Sequence, residues 1–465
     1  SPSVLGGSMR LVDLVIVGGL GLATLYSAVP GLSSVAWMHA VPLVAAIVLS
    51  AAFFQAADCY QIPVMRTVLP QVGRTLIAWS MVFGVFLIAG AFLKPFQALP
   101  AVWFGLWYSF ALIALTLSRA VLSVFVRDWT KKGRLERRAI IVGGGETAAD
   151  LIHEIEAQAN NDIRICGIFD DRNDERSPAL VAGYPKLGTI KDLVNFARIA
   201  RIDMLIVTIP LRAEKRLVEF LQKLWVLPVD IRLSAHTDKV RFRERASSFI
   251  GTVPFVDVVE KPIADWDAIS KRIFDLLFSA LLLIALSPVM LAVAAAIRLE
   301  SKGPVLFRQK RYGFNNEVIN VLKFRSMYHD MADPSAKKVV TKDDPRVTRV
   351  GRFIRKTSLD ELPQLVNVLR GELSLVGPRP HAVNAHTNER LWEQVVDGYF
   401  ARHKVRPGVT GWAQINGWRG EVDTPEKIQK RVEFDVYYIE NWSVLFDLYI
   451  LLRTPFALFN TENAY

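Results

Sequence analysis

Four apolar runs open the chain, at residues 11–29, 37–56, 75–93 and 101–126. As helices, each is long enough to cross the roughly 30 Å hydrocarbon core of a bilayer. Asp13 interrupts the first run and Arg119 the fourth, while Trp37, Trp79, Trp103 and Trp107 include several near the expected membrane interfaces, where amphipathic rings anchor. Cations gather at Arg10, at Arg66 and Arg74, and along 127–138; residues 30–34 carry no charge, and the connection near Pro95 carries only Lys94. By the positive-inside rule the four spans begin and end in the cytoplasm. Residues 1–8 (Ser-Pro-Ser-Val-Leu-Gly-Gly-Ser), directly before Met9, read as a vector-derived leader and are set aside, leaving a four-helix membrane domain over 9–130.

The pattern then changes to short apolar strands alternating with amphipathic helices. Residues 138–152 read strand, glycine turn, helix, with Gly143, Gly145 and Ala148 matching G-x-G-x-x-A; residues 165–171 form a second strand ending in acids, where a ribose contact would sit. This predicts a doubly wound, Rossmann-like domain over about 136–250. Such glycines also serve plain strand-to-helix packing, so the turn alone does not establish a cofactor. A fifth apolar run, 273–297, has Ser287-Pro288 in its middle and cations at both ends: Lys271 and Arg272 before it, Arg298 after. A helix over 266–298 that enters the bilayer, breaks at Ser287 and Pro288 and returns to the same face fits this pattern; the alternative is a fifth span with a proline kink. From 299 to 465 the chain is polar α/β, and 444–458 reads as an interfacial segment.

Within that last domain Asp360 and Glu361 fall in the opening turn of a predicted helix. Ser358 stands at capping-box spacing before Glu361, Pro363 suits a first turn, and Leu362, Leu365, Val366 and Leu369 follow at helical period. Free N–H groups there hold carboxylates ionised and receive phosphates. An acid pair alone usually only stabilises a helix, but cations and Gly-Pro turns flank this one at 344–355 and 374–380.

Composition narrows the chemistry. Of 465 residues 51% are hydrophobic and 22% charged, and mean hydropathy is +0.26, so the apolar residues are segregated into membrane segments. The net charge of +11 suits an anionic membrane surface or a phosphorylated substrate. Nucleic acid is disfavoured, since no zinc-finger spacing or aromatic RNA-binding signature occurs. Cys59 and Cys166 provide neither a disulfide framework nor metal-ligand spacing. No G-x-x-x-x-G-K loop and no Tyr-x-x-x-Lys pair is present, which argues against an ATP-driven transporter and against the usual nucleotide-sugar oxidoreductase.

The segments 304–313, 323–327 (Lys-Phe-Arg-Ser-Met), 344–346 (Asp-Pro-Arg), 357–364, 375–380 (Leu-Val-Gly-Pro-Arg-Pro) and 406–411 (Arg-Pro-Gly-Val-Thr-Gly) together resemble the bacterial polyprenyl-phosphate phosphoglycosyl transferases with one re-entrant membrane helix. The likeness covers 271 to the C-terminus. The preceding spans and Rossmann-like domain resemble the long form of that family, and 403–421 and 431–440 resemble its undecaprenyl-phosphate glucose phosphotransferases of the colanic-acid type. The resemblance implies transfer of a hexose 1-phosphate, glucose first and galactose as alternative, from a UDP-sugar to undecaprenyl phosphate, with release of UMP, at the bacterial inner membrane. It makes Asp360 the nucleophile of an aspartyl-phosphosugar intermediate and Glu361 the ligand of Mg²⁺. Lys310, Lys323, Arg325, Arg346, Arg379, Pro380, Arg406 and Gly408 are the expected substrate-binding residues. A non-catalytic membrane scaffold and an NAD-dependent nucleotide-sugar enzyme stand as the other classes, and a homo-oligomer is left open.

Overall fold

The computed structural model describes residues 2–28, 37–65, 67–92, 100–133, 135–158, 163–172, 178–209, 214–234, 248–250, 253–331, 344–381, 386–387, 390–392, 396, 398–420 and 424–459. Residues 30–34, Arg66, Lys94 and Arg134, which entered the charge argument, lie outside these. The chain divides into two compact units, Ser1–Glu136 and Arg137–Tyr465.

The first unit holds α1 (Pro2–Ala28), α2 (Trp37–Ala56), the short α3 (Ile62–Met65), α4 (Val68–Phe92) and α5 (Ala101–Lys131). The four long helices are long and apolar enough to cross a membrane. Helix α1 runs through the residues set aside as a leader, and Met9 is buried in the bundle. Three of these tryptophans turn toward the bundle interior: Trp79, Trp103 and Trp107 are fully buried. Their indole N–H groups donate to the carbonyls of Tyr108 (3.1 Å), Gly21 (2.9 Å) and Val17 (2.9 Å). Gly21 makes room for this, since a Cβ there would lie 2.7 Å from the Trp107 ring. Asp13 and Arg119, the two charges interrupting the apolar runs, find each other at 2.6 Å with both side chains fully buried. Tyr60 Oη donates to the same Asp13 oxygen at 2.9 Å, and Arg119 Nε donates to Thr75 Oγ1 at 3.2 Å, so one polar cluster joins α1, α4 and α5.

The second unit begins with an eight-stranded sheet. It is built from β1 (Arg137–Val142), β2 (Ile163–Phe169), β3 (Leu180–Val181), β4 (Tyr184–Gly188), β5 (Met204–Val207), β6 (Asp230–Ser234), β7 (Ser248–Ile250) and β8 (Val253–Val259), in the order β3-β4-β2-β1-β5-β6-β8-β7. The five strands from β4 to β6 are parallel, as predicted, with antiparallel pairs at both edges. Helices α6 (Glu146–Glu156), α7 (Ile190–Ile199) and α8 (Glu214–Leu224) belong to this domain, and β8 carries it past the expected boundary at 250.

Helix α9 (Asp265–Glu300) follows, then the hairpin β9 (Leu306–Tyr312) and β10 (Val318–Phe324), α10 (Arg349–Lys356) and α11 (Gln364–Arg370). Parallel β11 (Ser374–Val376) and the later β14 (Gly408–Thr410) form a second small sheet, and β12 (His386–Thr387) pairs with β13 (Arg390–Leu391). The chain closes with α12 (Trp412–Ile415), α13 (Pro425–Glu440) and α14 (Val444–Phe459). The expected break in α9 is absent as an interruption of helix: residues 265–300 stay helical through Pro288. Proline cannot donate to the carbonyl four residues back, and Ser287 Oγ donates to that same Ile284 carbonyl at 2.8 Å, restoring a partner.

The middle of α9 is apolar and bare, with Ile284 and Leu291 each 71% exposed, whereas both ends are fastened to the same domain. At its start Lys271 Nζ reaches Asp447 (2.6 Å) and the Val376 carbonyl (2.9 Å), and Arg272 donates to the Val368 (2.7 Å) and Leu369 (2.8 Å) carbonyls. At its end Glu300 accepts from the Arg349 (2.8 Å) and Val350 (3.1 Å) amides at the start of α10. On α14, Leu445, Tyr449, Leu452 and Phe456 form one exposed apolar stripe at helical spacing, opposite the buried Ile450.

Breaking one half of a fully buried ion pair strands the other charge at about 3–5 kcal/mol, whereas replacing both with apolar groups is often neutral. Arg119→Leu is therefore expected to lower the unfolding midpoint of the detergent-solubilised protein sharply, and Asp13→Leu/Arg119→Leu to recover most of the loss. A double variant as unstable as the single one would contradict this.

Candidate active site

The acid pair sits in a single 3-10 turn, Leu359–Glu361, wedged between α10 and α11. The predicted capping box does not form: Ser358 adopts a left-handed backbone (φ 60°), and its hydroxyl accepts from Arg419 instead. Pro363 precedes the first residue of α11 with φ −61°, so the acids lie just ahead of that helix and not inside it.

The two carboxylates are treated differently by their neighbours. Glu361 is gripped by the Arg379 guanidinium, Nη2 to Oε1 at 2.5 Å and Nη1 to Oε2 at 3.1 Å, and by Lys323 Nζ at 2.9 Å. Asp360 has only Lys323 at 4.0 Å, and among the described residues no group donates a hydrogen bond to its side chain. Both side chains are 13% exposed. Burial raises the Asp360 carboxyl above its ordinary range, a rise that Lys323 opposes and the Glu361 charge adds to. Burial would raise Glu361 too, but Arg379 and Lys323 overcome it and hold the carboxyl well below the usual range.

The positions of these cations follow from the backbone. Lys323 lies on β10, on the face shared with Val321 and, across the hairpin register, with Gln309 and Arg311. Arg379 leaves the turn after β11. Gly377 donates to the Thr410 carbonyl (2.9 Å) and Gly408 to the Pro378 carbonyl (2.9 Å), and a Cβ on Gly408 would stand 2.1 Å from Gly377 N. Arg402 donates to the Arg379 carbonyl at 2.7 Å and is itself paired with Asp435 at 2.6 Å. Arg311 donates to the Pro380 carbonyl at 2.7 Å; burial and the nearby Arg379 lower its pKa to about 10.

Of the expected substrate-binding residues, Lys323 and Arg379 are therefore at the acid pair, and Pro380 and Gly408 shape the turn that presents Arg379. The other four are elsewhere. Lys310 is exposed on the opposite face of the hairpin from Lys323, because side chains alternate along a strand. Arg325 is buried, with its guanidinium on the Ser301 (2.8 Å) and Lys302 (2.7 Å) carbonyls where α9 ends. Arg346 forks onto Asp344 at 2.6–3.0 Å, holding that carboxyl down at about 2 and closing the Asp-Pro-Arg turn. Arg406 is exposed and lines a different cavity. Two residues at the site were not singled out in the sequence: Arg311, one position from Lys310, and Arg419, within the stretch 403–421. Strand alternation separates Arg311 from Lys310, and the pairing with β10 puts Arg311 on the Lys323 face; no local signal picks Arg419.

The glycine turn of the Rossmann-like domain is closed by the chain itself. Gly144 N–H donates to Asp170 at 2.7 Å, and Arg172 bridges Asp170 (2.7 Å) and the Gly144 carbonyl (2.6 Å). Burial pushes the Asp170 carboxyl up, yet the hydrogen bonds from Arg172 and Gly144 outweigh it and hold it below its normal value. Gly143 is needed for packing, since a Cβ there would lie 2.9 Å from Thr208 Oγ1. The acid expected to meet a ribose instead occupies the turn.

A buried acid pair ringed by arginine and lysine, in a domain carrying a bare apolar helix, defines a membrane-associated enzyme of anionic substrates. The family model described as "Bacterial sugar transferase" matches residues 266–461, and one described as "CoA-binding domain" matches 55–235. The chain is 36% identical to a UDP-glucose:undecaprenyl-phosphate glucose-1-phosphate transferase of Escherichia coli over 83% of its own length and 81% of that protein's. It is 30% identical to a protein of the same name from Xanthomonas campestris over 98% and 94% of the two lengths. With an undecaprenyl-phosphate glucose phosphotransferase of Komagataeibacter xylinus it shares 41% identity, over 77% of this chain and 66% of that one. The chain belongs to the bacterial sugar transferase family.

Glu361, with its depressed pKa, contributes stability above the ordinary carboxylate pKa that is lost as pH falls through its folded value. Removing Arg379 strands that charge. Arg379→Leu is expected to destabilise the protein by about 3 kcal/mol near neutral pH, the low end for a broken buried pair. The gap from the unmodified protein should narrow as the solution is acidified below the usual carboxylate range; in thermal melts across pH, a constant gap would contradict the pairing.

Proposed function

We propose that the enzyme transfers a hexose 1-phosphate, glucose 1-phosphate before others, from a UDP-sugar to undecaprenyl phosphate and releases UMP. The observation that carries this reading is the division of labour within the acid pair: Glu361 is neutralised by a bidentate arginine and a lysine, while Asp360 keeps its oxygens free. The relatives named as glucose-1-phosphate transferases support the donor and acceptor. A relative at 47% identity over 40% of this chain and 94% of its own length, named as an exopolysaccharide production protein of Rhizobium leguminosarum, supports a role in exopolysaccharide production.

In this mechanism an Asp360 oxygen attacks the phosphorus nearer the sugar, a P–O bond to UMP breaks, and UMP carries away the electron pair. An oxygen of the lipid phosphate then attacks the same phosphorus and returns Asp360 as a free carboxylate. Splitting one displacement into two suits a carboxylate that is close to the substrate but unsolvated. Lys323, Arg379 and Arg419 surround the pair and lower the repulsion between a diphosphate and two carboxylates. Hard oxygen donors without histidine or cysteine suit Mg²⁺ rather than zinc; the pair offers two carboxylates, and among the described residues no group of three or more His, Cys, Asp or Glu gathers as a metal site. Glu361 Oε2 accepts only one hydrogen bond and Asp360 none, so these residues fit such an ion, which would supply charge neutralisation at the diphosphate.

Helix α9 supplies the depth. Its two ends are fastened to one polar domain, so its bare middle enters the bilayer and returns, with Pro288 at the turning region, and the α14 stripe lies in the interface. The catalytic domain then sits on the cytoplasmic face of the inner membrane, at the level of a lipid phosphate.

With UDP-glucose, Mg²⁺ and undecaprenyl phosphate, the solubilised protein should release UMP; absence of release with every UDP-sugar tried would leave a scaffold role. Asp360→Asn is expected to abolish release with the fold intact, because an amide cannot accept the phosphoryl group. The ionised form of Asp360 disappears as pH falls through its raised pKa, and Lys323 is the foremost of the cations that lower that value, ahead of Arg355 and Arg379. Lys323→Met should therefore move the acid limb of the pH–rate profile to higher pH, and an unmoved limb would separate Lys323 from Asp360.

A further inference from the structure

A cavity of about 240 Å³ lies apart from the acid pair, at the joint between the Rossmann-like domain and the start of α9. Lys261, just beyond β8, and Lys404 and Arg406, just before β14, supply its charge. Lys404 is only 7% exposed, and its ammonium has the Trp225 ring 4.8 Å away and no hydrogen-bond acceptor among the described residues. Burial lowers its pKa to about 8, with Glu440 opposing the shift but forming no ion pair with it. The side chains of Lys261 and Arg406 likewise show no carboxylate partner among the described residues. The acid in the wall, Asp275, is engaged through Oδ1, which accepts from Ser374 Oγ (2.9 Å) and Leu375 N (3.0 Å) and faces Lys271 at 3.4 Å. Lys271 in turn is paired with Asp447. Three cations with no carboxylate ion pair among the described residues thus line one cavity, and Pro262, Ile263 and Phe314 give it an apolar side.

An ammonium buried without an acceptor is unfavourable unless something supplies one. We infer that this cavity is a second anion site, which takes the phosphate of an organic phosphate ester between Lys261, Lys404 and Arg406 and lays its apolar part on Pro262, Ile263 and Phe314. The site is independent of the transfer reaction and of the acid pair. Ala268, Lys271 and Asp275 place its wall on the first turns of α9, where the exposed apolar stretch opens with Ile273, Leu276 and Leu277, so a phospholipid headgroup and a soluble nucleotide both have access.

The test uses the full chain in nanodiscs in two arms. In one, discs of phosphatidylcholine with and without phosphatidylglycerol are analysed by native mass spectrometry for retained anionic lipid. In the other, phosphatidylcholine discs are titrated calorimetrically with UMP, and the stoichiometry is read for binding beyond one per chain. Lys404→Met and Lys261→Gln should each weaken the extra binding by about tenfold in one arm, the loss of one charge-assisted hydrogen bond, while Lys404→Arg retains it and UMP release stays unchanged. A loss in the lipid arm assigns a headgroup, and a loss in the UMP arm a soluble ester. Identical binding by the unmodified protein and both charge-removing variants in both arms would overturn the inference, and thermal melts of Lys261→Gln, whose side chain is only half-buried, separate lost binding from lost folding.

Discussion

Two adjacent carboxylates that are each only 13% exposed cannot both stay ionised without cations, and the whole catalytic domain is arranged around how that neutralisation is shared. Arg379 and Lys323 are given to Glu361, and Asp360 is left with a distant lysine. The asymmetry has a structural source. Arg379 is aimed by the Gly377-Pro378 turn, whose close approach to Gly408 excludes any side chain there. Arg402 and Arg311 hold the carbonyls of Arg379 and Pro380, and Asp435 holds Arg402. Residues far apart in the chain therefore converge to fix one guanidinium, and through it the ionisation of both acids.

The membrane helix is tied to the same core. Lys271 and Arg272 bind the backbone of β11 and α11, the elements on either side of Arg379 and the acid pair, and Glu300 caps α10, which leads into the acid turn. The attachment of α9 and the geometry at the acids thus share one network. In the membrane bundle, indole N–H groups donate to backbone carbonyls of α1, and Asp13 and Arg119 pair with each other, inside an apolar unit.

Much of this was legible in the sequence, and the rest was not for definable reasons. The apolar runs, the parallel sheet and the acid pair follow from periodicity and motif, which are local. The direction in which tryptophans face is not local: Trp103 and Trp107 turn inward because Gly21 opens space on another helix. Lys310 was expected where Arg311 stands because a hairpin's register, which decides which face a strand residue joins, is a tertiary property. Arg325 and Arg346 sit in motifs as conspicuous as that of Arg379, yet their guanidinium groups are spent on Ser301, Lys302 and Asp344, a partition no spacing reveals. The acids after β2 resemble ribose ligands in sequence and turn out to close the glycine turn, since a neighbouring arginine makes Asp170 an internal anion.

The central claim is that Asp360, freed by the pairing of its neighbour, becomes covalently phosphorylated by the sugar phosphate. The most direct measurement is intact-protein and peptide mass spectrometry of enzyme quenched in acid after mixing with UDP-glucose and Mg²⁺ without lipid acceptor. A hexose-phosphate adduct confined to Asp360, discharged on adding undecaprenyl phosphate, is the predicted result. Product formation at the full rate with Asp360 unmodified would contradict it.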